Sequence, residues 1–292
     1  MCQGRRVKIL STAVSGALCL FLSAIANGQD SSSPATAGGV FAEPFVHVHA
    51  SALGTPVVHS FNVEPALTGR DLFLSYRYRR GDGIREHEVE TELEWAFTRR
   101  LGVIFEIPYI FERGDGGEWS DGFGDLAVVP RAMLVERERF MLTAQLEVVA
   151  PTGSGGFGGE TALAPGVAAW LDLGNWWTLN SQFAIEHIFD EDANEFVFGL
   201  GLVKSIGSHG QDCDHEDHEH AGFSGGGLHF HAELTGTVGL SGEESGVAEI
   251  EGLVGVSYGI GEGVDVRLGY EFPLTSPRAF DGGVVAGLVV HF

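Results

Sequence analysis

The final eleven residues, Gly282-Gly283-Val284-Val285-Ala286-Gly287-Leu288-Val289-Val290-His291-Phe292, constrain this chain more than any other stretch. Read as a strand, they place Val284, Ala286, Leu288, Val290 and Phe292 on one face. A closing strand with one apolar face and a terminal Phe is the pattern of an outer-membrane β-barrel, where that face meets lipid.

The start of the chain points the same way. Arg5, Arg6 and Lys8 precede an apolar run from Ile9 to Ala26, and Ala24-Ile25-Ala26 offers a small-x-small cleavage site. Residues 1–26 are therefore expected to be a cleaved signal peptide. After Asn27 nothing approaches the roughly 18 apolar residues of a spanning helix. An exported chain without such a helix is either soluble or a barrel. Of three cysteines, Cys2 and Cys19 leave with the signal, so Cys213 remains alone and no disulfide forms within the chain. The 17 basic residues less Arg5, Arg6 and Lys8 leave fourteen against 40 acidic ones. That balance excludes nucleic acid as a partner, because phosphate needs the opposite sign.

Residues 27–69 read as a periplasmic segment that is either a lead-in or a plug. Gln29–Gly39 is rich in Ser, Gly, Pro and Thr; Phe41–Gly69 carries His47, His49 and His59 among Pro44, Pro56 and Pro65. Residues 70–292 then hold twelve alternating segments, approximately 71–80, 85–97, 101–112, 123–136, 139–150, 161–172, 175–189, 194–206, 226–240, 247–259, 263–273 and 281–292. Each has about the length a tilted membrane strand requires. The fold expected is all-β: a transmembrane antiparallel barrel of twelve strands in the bacterial outer membrane, in contact with lipid. Both chain ends then lie in the periplasm. Short connections at 98–100, 173–175 and 260–262 follow even-numbered strands and face inward; the longer 114–122, 151–160 and 273–282 face outward.

The sharpest pattern is Glu86, Glu88, Glu90, Glu92 and Glu94 at strict i+2 spacing. All five share one face of a strand, and that face cannot be the lipid face. Glu106, Glu147 and Glu186 fall on the same inward phase, with Glu233, Glu249, Glu251, Asp265 and Glu271. Inward Arg77, Arg79, Arg131 and Arg267 are too few to balance them, so the lumen is expected to prefer cations among small solutes. The connection 207–227 breaks the short-turn rule. Its His209, Cys213, His215, His218 and His220, among Asp and Glu residues, are candidate ligands for Zn, Cu or Ni on the periplasmic side. A disordered acidic loop accounts for the same composition. His229 and His231 continue inward on the next strand.

Gly122-Phe123-Gly124-Asp125-Leu126 entering a strand, Val148-Val149-Ala150-Pro151-Thr152-Gly153 leaving one, and Gly158-Gly159-Glu160 after it resemble the phenol-degradation meta-pathway outer-membrane proteins. The likeness covers roughly residues 70 to 292 and implies a transporter-type barrel that passes small organic compounds. The Glu ladder and the His-rich loop stand outside it and argue against an uncharged aromatic permeant. Competing readings are a passive channel for small aromatic compounds and a structural barrel that anchors a periplasmic partner through 207–227. An enzyme is not expected: Ser181 and His187, the nearest nucleophile–base pairing, are six residues apart on one strand, about 20 Å.

Overall fold

The computed structural model describes residues 41–46, 50–51, 53–81, 83–114, 116–207, 227–260, 263–276 and 278–292. The signal-peptide reading and the candidate ligands His209, Cys213, His215, His218 and His220 lie outside them.

The strands are β1 (Arg70–Gly81), β2 (Ile84–Ala96), β3 (Leu101–Gly114), β4 (Ser120–Phe123), β5 (Leu126–Arg137), β6 (Phe140–Ala150), β7 (Ala162–Gly174), β8 (Trp177–Ile188), β9 (Ala193–Ile206), β10 (Leu228–Gly239), β11 (Ala248–Gly259), β12 (Val264–Pro273) and β13 (Gly282–His291). Each long strand pairs antiparallel with its neighbours in sequence, and β1 pairs with both β2 and β13. The sheet is therefore a closed barrel of twelve long strands with no free edge. Closure runs from Asp71↔His291 to Arg80↔Gly282. The short β4 adds to the C-terminal end of β3, opposite Tyr109 to Glu112.

One expected element is different. The strand expected over 123–136 begins only at Leu126, as β5; Gly124-Asp125 separates it from the short β4, which takes Phe123 together with Ser120–Gly122 of the expected connection. The cause is a long-range contact: the Asp125 carboxylate turns to accept backbone N–H groups from Gly153, Gly159 and Glu160 at 2.8–3.1 Å. The outward connection after β3 is correspondingly shorter than 114–122, because Ser120–Phe123 pairs back onto it.

The two faces of the wall are chemically opposite. Leu72, Leu74 and Tyr76 of β1, Val254, Val256 and Tyr258 of β11, and Val266, Leu268 and Tyr270 of β12 are exposed outward at every second position. Between them, Ser75, Arg267 and Glu271 are buried on the inner face, as are Asn180, His229, His231 and Glu233 on β8 and β10. A polar interior behind an apolar exterior is stable only when the solvent outside is hydrocarbon. Exposed Trp95, Phe97, Trp177 and Phe292 cluster at one rim, Phe111, Trp119, Phe123 and Phe189 at the other, like the aromatic girdles of membrane barrels. Among the described residues no helix is long and apolar enough to cross a membrane; the strands do so. These features place the barrel in the bacterial outer membrane.

The turn between β7 and β8 is tight. Asn175 and Trp176 take φ of 50° and 59°, the two positive values a two-residue type I′ hairpin requires.

Residues 55–69 run along the inner wall. Thr55 donates to Asp172 at 2.7 Å, and Val57 and Ala66 pack with Met141 and Trp170 in a small apolar core. From there the segment rises to Phe61–Glu64 and returns to Thr68, which donates to the Arg99 carbonyl at 2.9 Å beside the start of β3.

Candidate functional site

Inward side chains hold the crest of this segment from all sides. Glu233 accepts the Phe61 and Asn62 N–H groups at 2.7 and 2.9 Å. Arg267 donates to the Ser60 carbonyl at 2.9 Å and to Ser75 Oγ at 2.7 Å. Gln182 accepts the Glu64 N–H at 3.0 Å. Arg131 donates to the Pro65 carbonyl and pairs with Glu94 at 3.0 Å and Glu64 at 3.6 Å. The Asn62 side chain bridges Arg77 at 2.8 Å and Glu271 at 3.1 Å. Two inward glycines make room: a Cβ at Gly201 would lie 2.8 Å from Ser60 Oγ, and one at Gly255 would lie 2.7 Å from the Phe61 ring. Those positions are glycine because another chain segment occupies the space a side chain would fill.

Beside the crest lies a cavity of about 400 Å³. Its lining holds seven carboxylates (Glu64, Glu90, Glu92, Glu106, Glu147, Glu249, Glu251) against two guanidiniums (Arg77, Arg79), a formal excess of five negative charges. Five of these nine residues lie on the adjacent strands β1, β2 and β3, Glu147 on β6, Glu249 and Glu251 on β11, and Glu64 on the inner segment, so the charge excess is assembled by closure and not by one strand.

The structure distributes the ladder over distinct environments. Glu86 sits opposite Arg79 and Glu112 in the ladders of its two neighbours. Glu88 pairs with Arg77 at 2.7 Å. Glu90 and Glu92 line the cavity with Glu106 and Glu147. Glu94 is 2% exposed, pairs with Arg131, and keeps Oε2 without a hydrogen-bond partner; Glu92 Oε1 is likewise buried and unpartnered. Glu186, half-buried on β8, stands opposite Glu195 and is not among the cavity-lining residues. Arg77 and Arg79 are already engaged by Glu271 at 3.2 and 3.0 Å, and Arg79 also by Glu251 at 3.2 Å.

His229 and His231 are buried on the inner wall, 2.8 Å from Ser205 Oγ and Ser257 Oγ respectively. Ser181 and His187 do not meet; the His187 ring contacts Asn194 at 3.2 Å. A further cluster escaped sequence reasoning. Closure sets Asp71 opposite His291, and His59 from the inner segment completes the group. These residues are 12 or more positions apart in sequence and follow no ligand spacing, so only the alternation that points Asp71 and His291 inward hinted at them.

At the rim opposite the C-terminal residue the three short motifs form one structure. Besides its bonds to Gly153, Gly159 and Glu160, Asp125 precedes Leu126, whose N–H bonds Thr152 Oγ1 at 2.9 Å. Desolvation raises the Asp125 pKa, but the converging N–H groups of Gly153, Glu160 and Gly159 outweigh it and hold the carboxyl below its usual range. Glu160 goes the other way, raised by burial and then by the neighbouring carboxylates Glu191, Asp125 and Asp190.

Fold and site together define an outer-membrane barrel whose lumen holds part of its own N-terminal region. No protein-family model matches the chain, and no curated protein does. Among solved structures, an outer membrane channel from Pseudomonas putida F1 is similar, with 14% identity, 81% of this chain and 100% of that chain covered, and a TM-score of 0.57. The KdgM porin (11% identity, 75% and 99% covered, TM-score 0.46) and the NanC porin (10%, 76% and 98%, 0.46) are more distant. The first of these likenesses bears on the fold alone.

Proposed function

We propose that this protein is a non-enzymatic outer-membrane channel for small cationic solutes, with residues 41–69 acting as a plug behind a signal peptide at 1–26. The observation that carries the reading is the cavity beside the crest, with seven carboxylates against two guanidiniums. Low-dielectric walls focus that field, concentrating cations and excluding anions. Glu90, Glu92, Glu106 and Glu147 carry the selectivity, with Glu86 and Glu186 toward the outer mouth. Glu88 and Glu94 instead hold Arg77 and Arg131. The resemblance to the phenol-degradation proteins would imply an uncharged organic permeant, which this lining disfavours. The tract of His209, Cys213, His215, His218 and His220 is read as a periplasmic binder of Zn, Cu or Ni.

The test is the reversal potential of the full-length protein in a planar bilayer under a salt gradient. A cation-selective value is expected, and Glu90→Gln, Glu106→Gln and Glu147→Gln together should bring it toward zero. A zero or anion-selective potential in the unaltered protein would overturn the reading.

A further inference from the structure

We propose that His59, Asp71 and His291 form a binding site for one divalent transition-metal ion of the imidazole-preferring class, at the inner end of the barrel closure. The three residues each offer one ligand atom, and these atoms lie within 4.8 Å of one another. His59 Nε2 stands 3.4 Å from Asp71 Oδ2. That separation matches the edge of a tetrahedron around an ion with bonds of about 2.0–2.1 Å to N and O. The ring planes of His59 and His291 lie 28° apart with centroids 5.8 Å apart.

The surroundings are those of a built site. The side chains of His59, Asp71 and His291 are 14%, 2% and 6% exposed. His291 places Nδ1 at 2.7 Å from Asp71 and Nε2 at 3.2 Å from Asp265. With Nδ1 turned to a metal, Nε2–H donates to Asp265. This is the carboxylate–histidine–metal relay that fixes tautomer and ring orientation in metal sites. Phe73 meets the His59 ring edge-on at 4.9 Å and closes one side. Two imidazoles and one carboxylate favour Zn²⁺, Cu²⁺ or Ni²⁺ over Mg²⁺ or Ca²⁺, which take oxygen ligands. Three protein ligands leave a fourth position for water or another donor.

The site spans two parts of the molecule. Asp71 and His291 belong to β1 and β13, whereas His59 comes from the inner segment. An ion there would tie that segment to the closing strands. The inference does not rest on the conduction proposed above, and it is separate from the ligands of 207–227.

The experiment uses full-length protein in detergent in which His209, Cys213, His215, His218 and His220 are replaced by Ser, so that the loop contributes no high-affinity donors. Zn²⁺ is titrated against a chromophoric chelator, and Co²⁺ is added separately to read its visible ligand-field bands. We expect one Zn²⁺ per chain and a four-coordinate Co²⁺ spectrum. His59→Ala, which leaves every barrel strand intact, should weaken Zn²⁺ binding by at least 100-fold. Asp265→Asn should weaken it by about 10- to 100-fold, because it acts through His291. Absence of stoichiometric Zn²⁺ binding would overturn the proposal and reduce the cluster to an ion-paired seam. So would binding that His59→Ala leaves unchanged. Barrel integrity is checked in each variant by heat-modifiable gel mobility.

Discussion

Replacing Glu233 by Ala tests whether the inner segment is held in the lumen by the wall or by its own chain. In the structure this one carboxylate accepts two backbone N–H groups, from Phe61 at 2.7 Å and Asn62 at 2.9 Å, and it is 6% exposed. Truncation leaves both donors facing the methyl group of Ala. A buried donor without a partner costs roughly 1–3 kcal/mol, and water entering the lumen keeps the pair near the lower end, at about 2 kcal/mol in all. That loss falls on the state with the segment seated and spares the state with it displaced. It therefore shifts the ratio of the two by about 30-fold. Arg267 on Ser60 and Gln182 on Glu64 remain, so the seated state weakens without disappearing. The assay is single-channel recording in planar bilayers, with a variant lacking residues 41–69 as the fully open reference. Longer or more frequent openings are expected at the conductance of that reference. If deletion of 41–69 leaves the conductance of the unaltered protein unchanged, the segment does not occlude the path and the reasoning fails.

Two further predictions address the wall and the rim. Leu268→Arg puts a charge on the lipid face at the middle of β12, where Leu268 is 54% exposed, and should cost about 2–4 kcal/mol in urea titrations of folding into vesicles. A cost below ~1 kcal/mol would contradict the assignment of that face to lipid. For Asp125 the folded pKa lies below the unfolded one, so its ordering of 151–160 is complete above the usual Asp range of about 3.9. It is lost as pH falls through the lower folded value. Asp125→Asn should mimic the acidified state at neutral pH and speed amide exchange at Gly153, Gly159 and Glu160 roughly tenfold, corrected for intrinsic rates; unchanged exchange would mean the loop is held by other bonds.

How much was legible in the sequence follows from the range of each interaction. Alternation is local: a period of two forces side chains to opposite faces, so the apolar face of β13 and the inward glutamates of β2 could be read residue by residue. The number of long strands followed from counting such runs between turn residues. The break at Gly124-Asp125 could not be read, because what interrupts the strand is a carboxylate reaching backbone groups 28 to 35 positions later. The course of residues 55–69 was open for the same reason, since its partners on β5, β8, β10 and β12 have no sequence relation to it. Inward glycines such as Gly201 and Gly255 look like ordinary weak points in a strand until the segment they accommodate is in place. The sequence by itself determined a lipid-facing exterior and an acidic interior, because each depends only on strand periodicity. Which charges pair, which stay free to face a solute, and that His59, Asp71 and His291 meet at all were decided by closure of the barrel, which brings residue 71 against residue 291.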